Sequence, residues 1–324
     1  MTESAKAAVP LVVAIGFRLE PALVERLRQR FPTVDFRVSA SKRHLLEIVA
    51  GAQVFFGWPN DDILAAGQGL RWLHLLGAGA DGFSLGAAKE RSLQVTNARG
   101  VAAPNIAEHT LGLMIGFCRS FHVLARAQRD RRWLKPQDLA ATELADATLG
   151  IVGLGAIGEA LAVRARAMGM RVLGVRRSIQ PTPYVDQLFS LEHLGDMAAQ
   201  SDHLVVCTPQ TPASIGLIDR RILQRMRPSA YLYNLGRGSA IVTADLLDAL
   251  ERNVIAGAGL DVTDPEPLPP EHPLWAHPNV VITCHTSGNS NRYWERGIVT
   301  FEHNLEAYLQ NRPLTNVVDL EQGY

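Results

Sequence analysis

The sequence predicts an α/β protein in two lobes, each built on a parallel sheet, and three observations carry that prediction. Short apolar strands alternate with helix-like segments along nearly the whole of its 324 residues, the pattern of parallel strands joined by helical crossovers. A glycine-rich turn lies mid-chain between an apolar strand and a helix, in Leu149-Gly150-Ile151-Val152-Gly153-Leu154-Gly155-Ala156-Ile157-Gly158. A last helical segment, 292–310, lies beyond the final strand of the second sheet and is expected to return to the first lobe. The expected division is therefore a discontinuous lobe, 1–99 plus 290–324, and a second lobe, 100–289.

In the first lobe the runs 11–15, 34–38, 54–57, 72–76 and 93–96 read as strands, with helices at 21–30 and 42–50. Between the last two strands lies a second glycine turn, Gly77-Ala78-Gly79-Ala80-Asp81. A turn after a parallel strand sits at the sheet's ligand edge. Its N–H groups suit a small anion, and a purely structural strand exit is the competing reading. The stretch 105–130 reads as one long helix, apolar at Ile106, Leu111, Leu113, Ile115, Phe117 and Leu124, with Pro104 where prolines start helices. A helix of roughly 25 residues spans about 37 Å, enough to link two lobes or pack on a second subunit. His109 and His122 on it read as core or interface histidines. Beyond the mid-chain turn, helix 160–168 leads to strand 171–175, then helix 191–199, strand 203–207, helix 219–226, strand 231–235, helix 244–251 and strands 256–260 and 280–283.

Composition narrows the function classes. Lys+Arg and Asp+Glu both total 32, and no basic stripe or polybasic segment points to nucleic acid or a membrane surface. The early apolar run 9–17 is short, broken by Pro10 and without a basic flank, so it reads as a first strand and not a signal peptide. Cys118, Cys207 and Cys284 are too few and too far apart for a disulfide framework or zinc knuckle. A reducing cytoplasm is the expected compartment.

The mid-chain turn has G-x-G-x-x-G spacing in the context that gives it meaning, strand before and helix after. Gly153 permits the tight turn, Gly155 leaves room for a pyrophosphate to approach the backbone, and Gly158 lets the helix pack on the strand. Unpaired N–H groups at the helix start, with Ala156 and Ile157 in its first turn, suit phosphate. A bound dinucleotide is the prediction. An acidic residue at the end of the next strand would accept the adenosine ribose hydroxyl. Here that place reads Arg176-Arg177-Ser178, which suits a 2′-phosphate. NADP(H) is thus expected in preference to NAD(H), the alternative being one arginine stacked on adenine with weak discrimination.

Three further residues follow strand ends, at the same edge of a parallel sheet as the glycine turn. Arg237 lies in Asn234-Leu235-Gly236-Arg237-Gly238, Glu266 in Asp261-Val262-Thr263-Asp264-Pro265-Glu266-Pro267-Leu268-Pro269, and His285 in Thr283-Cys284-His285-Thr286-Ser287-Gly288. Taken singly each has an ordinary explanation as a surface ion pair, a loop residue or a strand cap. A metal set drawn from Asp261, Asp264, Glu266, His272 and His285 has no compact ligand motif, and no metal is expected.

Together these motifs resemble the D-isomer-specific 2-hydroxyacid dehydrogenase family over nearly the whole chain. The Gly153 to Gly158 turn, the Asn234 to Leu250 run, the Gly259-Leu260-Asp261-Val262 run and the His285 segment carry the resemblance, with Ala107-Glu108-His109 and Asn316-Val317-Val318-Asp319 as weaker matches. It implies a Rossmann doubly wound cofactor domain, a smaller flavodoxin-like substrate domain and hydride exchange with a small 2-keto acid such as glyoxylate or hydroxypyruvate, in a homodimer. By position, Arg237 is implied to grip the substrate, His285 to be the acid/base and Glu266 its partner. Asp261 is implied to lie near the nicotinamide carboxamide, Gly77, Ala78 and Gly79 to hold the substrate carboxylate, and Thr208, Pro209, Leu235 and Gly236 to line the cofactor. Trp58, Pro59 and Trp133 are candidate pocket residues, with ordinary packing as the competing reading. Cys284 departs from the family's usual proline and is expected to loosen the backbone before His285. Arg176 departs from the acid of NAD-dependent members. The rival class is a dinucleotide-sensing, corepressor-like interaction protein; formate oxidation and phosphorus-oxyanion oxidation fit the retained residues less directly.

Overall fold

A computed structural model describes residues 10–80, 85–176, 180 and 182–321. It contains two compact units, Met1–Val101 with Asn291–Tyr324, and Ala102–Ser290.

The first unit holds β1 (Leu11–Ile15), β2 (Val34–Val38), β3 (Val54–Gly57), β4 (Trp72–Leu75) and β5 (Gln94–Thr96), all parallel in the order β2-β1-β3-β4-β5. This is the flavodoxin-like order. Both faces of the sheet are covered, so the central strands are apolar on both sides and alternate residues enter two different cores. Val12, Ala14, Phe55, Leu73 and Leu75 enter one; Val13, Ile15, Val54, Phe56 and Trp72 enter the other. Helix Tyr293–Leu309 closes the second core with Ile298, Phe301 and Leu305, spaced three and four apart on one face. Phe301 stacks on Phe56 and Trp72 with ring centroids 4.5 and 5.5 Å apart. Two short helices, Asp61–Ala66 and Leu85–Glu90, add to those read from the sequence. The first is capped by Asn60, whose side chain accepts from the Ile63 N–H.

The second unit holds β6 (Thr148–Val152), β7 (Arg171–Val175), β8 (Gln187–Phe189), β9 (His203–Val206), β10 (Tyr231–Asn234), β11 (Gly257–Leu260) and β12 (Val280–Ile282). They form one parallel sheet in the order β12-β11-β10-β9-β6-β7-β8. The direction of winding reverses between β6 and β9. In doubly wound sheets ligands bind at this switch point, outside the carboxyl ends of the strands. Edge strand β8 goes beyond the six strands read from the sequence.

The expected single helix over 105–130 is instead two, Ala103–Cys118 and Phe121–Arg129. Ser120 between them is left-handed, with φ 55°. The Cys118 carbonyl accepts from the Thr142 N–H at 2.8 Å, so it is taken by a later segment at the place where the first helix ends. The span of a continuous 25-residue helix is therefore absent. The first helix packs Ile106, Ala107, Leu111, Met114 and Phe117 into a core shared with Leu161, Ala162 and Ala165 of helix Ala156–Ala167.

Candidate active site

At the switch point the three glycines of the mid-chain turn have three different physical reasons. Gly153 has φ +100°, a left-handed conformation that a side chain strains, and a Cβ there would press on the Cys207 carbonyl group at 3.1 Å. Gly158 has no room, since a Cβ would overlap the Gly153 oxygen and meet Ile151 Cγ2 at 3.1 Å. Gly155 has, beyond its own chain neighbours, no atom of the described residues within 4 Å of the position its Cβ would take. No packing requirement explains a glycine there, whereas close approach of a ligand does. Gly155 is also the N-cap of helix Ala156–Ala167, so Ala156 and Ile157 offer first-turn N–H groups to an anion.

The loop after β9 completes this edge. A Cβ on Gly236 would lie 2.6 Å from the Thr208 oxygen, so the Gly236 backbone packs directly on Thr208 beside Pro209. Thr208 Oγ1 is buried and has no partner among the described residues, an orphaned hydroxyl beside Gly153. Leu235, by contrast, is buried in the core beneath the loop. The Cys207 thiol donates to the Gly153 oxygen at 2.9 Å, and burial pushes its pKa up to about 12, so it supports the turn and is no nucleophile. Arg176 follows β7 directly, with Nη1 donating to Thr182 Oγ1 at 2.8 Å. Arg177 and Ser178 lie outside the described residues. An open glycine, helix-start N–H groups and an orphaned hydroxyl fit the pyrophosphate region of a dinucleotide.

The loops after β10, β11 and β12 carry Arg237, Glu266 and His285. Buried Asn234 shapes the first: its Nδ2 donates to the Arg237 oxygen at 2.9 Å and its Oδ1 accepts from the Gly236 N–H at 3.2 Å. A Cβ on Gly238 would overlap the Thr263 carbonyl, so the Arg237 turn lies directly against the loop that leads to Glu266. That loop is fixed in turn by Thr243 Oγ1, which donates to the Asp264 oxygen at 2.8 Å. His285 Nδ1 meets Glu266 Oε1 at 2.5 Å. A carboxylate only accepts, so Nδ1 carries the proton and Nε2 is the nitrogen left to exchange one with a substrate. The two side chains are 51% and 41% exposed. A pair this open contributes at most about 1 kcal/mol to stability, so stability does not account for it.

Asp261 follows β11 directly. Its side chain is 1% exposed. Its carboxylate accepts from Thr283 Oγ1 at 2.6 Å, the Thr286 N–H at 2.9 Å, and the Ser287 N–H and Oγ. Its backbone oxygen accepts from the His285 N–H at 2.6 Å. Asp261 therefore organises the loop that presents His285. Cys284 is left-handed, with φ 50°, a conformation closed to proline, whose ring holds φ near −65°. Asn234 and Asp261 both lie in runs that carry the family resemblance, but those runs do not disclose these structural roles. Their only sequence signal is a polar residue at the end of an otherwise apolar strand.

In the first unit the Gly77 turn follows β4. The Gly77 oxygen accepts from the Ala98 N–H at 3.0 Å and the Ala78 oxygen from Asn97 Nδ2 at 2.7 Å. The N–H groups of Gly77, Ala78 and Gly79 have no partner among the described residues, which leaves three donors for an anion. Trp58 lies over the turn, its indole where a Gly77 Cβ would be. Among the described residues no cluster of His, Cys, Asp and Glu is arranged to hold a metal, and no helix is long and apolar enough to cross a membrane.

Residues 111–287, more than half of the sequence, match the model of the D-isomer specific 2-hydroxyacid dehydrogenase NAD-binding domain. The chain belongs to the D-isomer specific 2-hydroxyacid dehydrogenase family. Within that family it is 34% identical over 261 residues to the glyoxylate reductase/hydroxypyruvate reductase of Homo sapiens, covering 79% of each chain. A D-isomer specific 2-hydroxyacid dehydrogenase family protein of Aeromonas salmonicida is 30% identical, with a TM-score of 0.85 over 97% of this chain and 100% of that one. The NADPH-dependent glyoxylate/hydroxypyruvate reductase of Sinorhizobium meliloti, solved with NADP and sulfate, is 27% identical, with a TM-score of 0.83 over 97% and 100%. The family establishes this chain as an NAD(P)-dependent oxidoreductase of 2-keto and 2-hydroxy acids, with a Rossmann cofactor domain and a flavodoxin-like domain.

Proposed function

We propose that this protein is a reductase of a small 2-keto acid, glyoxylate or hydroxypyruvate, that prefers NADP(H), with His285 as its acid/base, Glu266 as the partner of that histidine and Arg237 as its substrate clamp. The observation that carries the reading is the His285–Glu266 contact, at the same sheet edge as the open glycine cradle. Gly155, Ala156, Ile157 and Thr208 would hold the coenzyme's phosphates, and Arg176 its adenosine end. A bound reduced nicotinamide supplies the hydride that adds to the keto carbon.

The rest of the chemistry belongs to the protein. Glu266 accepts from Nδ1 and so fixes the ring, which leaves Nε2 to deliver a proton to the oxygen as it gains negative charge. In the reverse direction the same nitrogen, neutral, removes the hydroxyl proton. The Arg237 guanidinium orients carboxylate and carbonyl together and stabilises the charge that develops on oxygen. The three unpartnered N–H groups at Gly77, Ala78 and Gly79 receive the substrate carboxylate, and the indole of Trp58 over that turn favours a short substrate. Arg176 in place of an acid, with the NADP-bound Sinorhizobium relative, supports the coenzyme preference. Phe121 and Trp133, 55% and 96% exposed, support a homodimer, and three unpaired cysteines support a reducing cytoplasm.

The test follows absorbance of NADPH, then NADH, against glyoxylate, hydroxypyruvate, pyruvate, phenylpyruvate and 2-ketoisocaproate. Oxidation of NADPH with the two smallest substrates, abolished by Arg237→Ala, is the expected result. Tight coenzyme binding without turnover on any of them would favour the dinucleotide-sensing reading.

A further inference from the structure

The loop that presents His285 is held in a conformation its residues disfavour. Cys284 and His285 have φ 50° and 55°, consecutive left-handed residues of which neither is glycine. Such residues persist only where the surroundings over-determine them. Asp261 supplies one side of that restraint, from below the loop. The other side comes from helix Ala103–Cys118, where Asn105 and His109, four residues apart, share a face. Asn105 Nδ2 donates to the Ser287 oxygen at 2.8 Å, and His109 Nε2 lies 3.0 Å from Thr283 Oγ1.

The direction of this second bond follows from proton counting. Thr283 has a single hydroxyl proton and directs it at Asp261 Oδ1, at 2.6 Å. Toward His109 it can only accept, so Nε2 is the protonated nitrogen. His109, Thr283 and Asp261 thus form one ordered column from the helix to the buried carboxylate, and Asp261 passes the restraint on to the His285 backbone. Among the described residues His109 bonds to neither Glu266 nor His285 and is linked to them through this column.

We propose that His109 is a positioning residue for hydride transfer: through Thr283 and Asp261 it locks the left-handed turn that aims His285 at Glu266. The proposal rests on the reading of His285 as the acid/base. Its test uses the whole protein in four variants, His109→Leu, His109→Gln, Thr283→Val and Thr283→Ser, read by amide hydrogen exchange over residues 283–288, by NADPH affinity, and by kcat and KM for the keto acid. In His109→Leu and Thr283→Val, exchange at His285 rises about tenfold or more as local opening becomes easier. Their kcat falls ~10- to 100-fold, the scale of a misplaced catalytic group. NADPH affinity and KM stay within about twofold, the signature of a loss confined to the transition state. His109→Gln and Thr283→Ser, which keep a donor and a hydroxyl, recover most of the kcat. Unchanged exchange in both apolar variants overturns the proposal, as does a kcat loss that the conservative variants do not recover or that is matched by lost NADPH binding. Normal turnover of His285→Ala would overturn the acid/base reading instead, and the exchange data separate the two failures.

Discussion

Gly155 and Gly158 sit three residues apart in one turn, and the structure predicts opposite consequences for the same added methyl. At Gly158 the new Cβ overlaps the Gly153 oxygen and presses on Ile151 Cγ2 at 3.1 Å. Both neighbours are fixed, one as backbone and one as core, so strand and helix must separate. Overpacking of this kind costs about 1–3 kcal/mol. At Gly155 the Cβ meets no described residue beyond its chain neighbours within 4 Å, and the residue already has φ −90°. Lower chain entropy in the unfolded state and a slightly poorer N-cap then nearly cancel, leaving stability within about 1 kcal/mol. The cost at Gly155 appears only when the dinucleotide is added, because the methyl stands where a pyrophosphate must approach. A loss of about 1.4–2.8 kcal/mol there is a 10- to 100-fold weaker Kd. Thermal unfolding and NADPH titration of both variants test this. Gly155→Ala should melt within about 4 °C of the parent and bind poorly, and Gly158→Ala should melt clearly lower. Parent-like NADPH affinity in Gly155→Ala would refute the reasoning that this glycine is kept open for a ligand.

Three other outcomes are expected. Arg176→Asp replaces the guanidinium proposed to meet the 2′-phosphate by a ribose acceptor and should move the ratio of kcat/KM for NADPH over NADH by about 100-fold toward NADH; an unmoved ratio would assign Arg176 to the loop alone, through Thr182. Glu266→Gln should lower kcat about 10- to 100-fold while urea unfolding shifts by less than about 1 kcal/mol, and a stability loss with intact kcat would make the pair structural. Burial holds His74 of the first unit at a pKa of about 3 and His203 of the second at about 4, both below the ordinary 6.5. The unfolded chain therefore binds protons that the folded one refuses. Stability is complete above pH 6.5 and falls as pH drops toward 4, by roughly 2 kcal/mol for each histidine at pH 5. Denaturant unfolding at pH 7 and 5 checks this, and His74→Asn should reduce the difference.

What the sequence discloses and what it hides divide along a physical line. Strands buried on both faces must be apolar throughout, so β1, β3, β6, β9 and β10 stand out as runs, and parallel pairing then puts every residue just past a strand end on one edge. Arg237, Glu266 and His285 are visible for that reason, although their spacing along the chain is wide. Edge strand β8 has three residues with one buried, Phe189, too short to register as a pattern. The break at Ser120 is set by Thr142, which takes the Cys118 carbonyl from more than twenty residues downstream, and no helical periodicity encodes that. The unpartnered N–H groups at Gly77 are visible only as a glycine turn whose use the family resemblance supplies.

Asp261 shows most clearly why a site is harder to read than a fold. It lies just after β11, and the family resemblance implies a place near the nicotinamide carboxamide for it. Its partners, Thr283, Thr286 and Ser287, lie 22 to 26 residues away, and they draw the carboxylate inward beneath His285. A carboxylate that meets four hydrogen-bond donors while almost fully buried is stabilised as an acceptor, and its removal would leave those donors unpaired, at about 1–3 kcal/mol each. The strain at Cys284 and His285 gives that arrangement its purpose. A left-handed histidine opposite Glu266 needs a buried anchor on one side and a helix on the other, and the chain places both within a single unit, so the geometry of the His285–Glu266 contact is fixed within that unit.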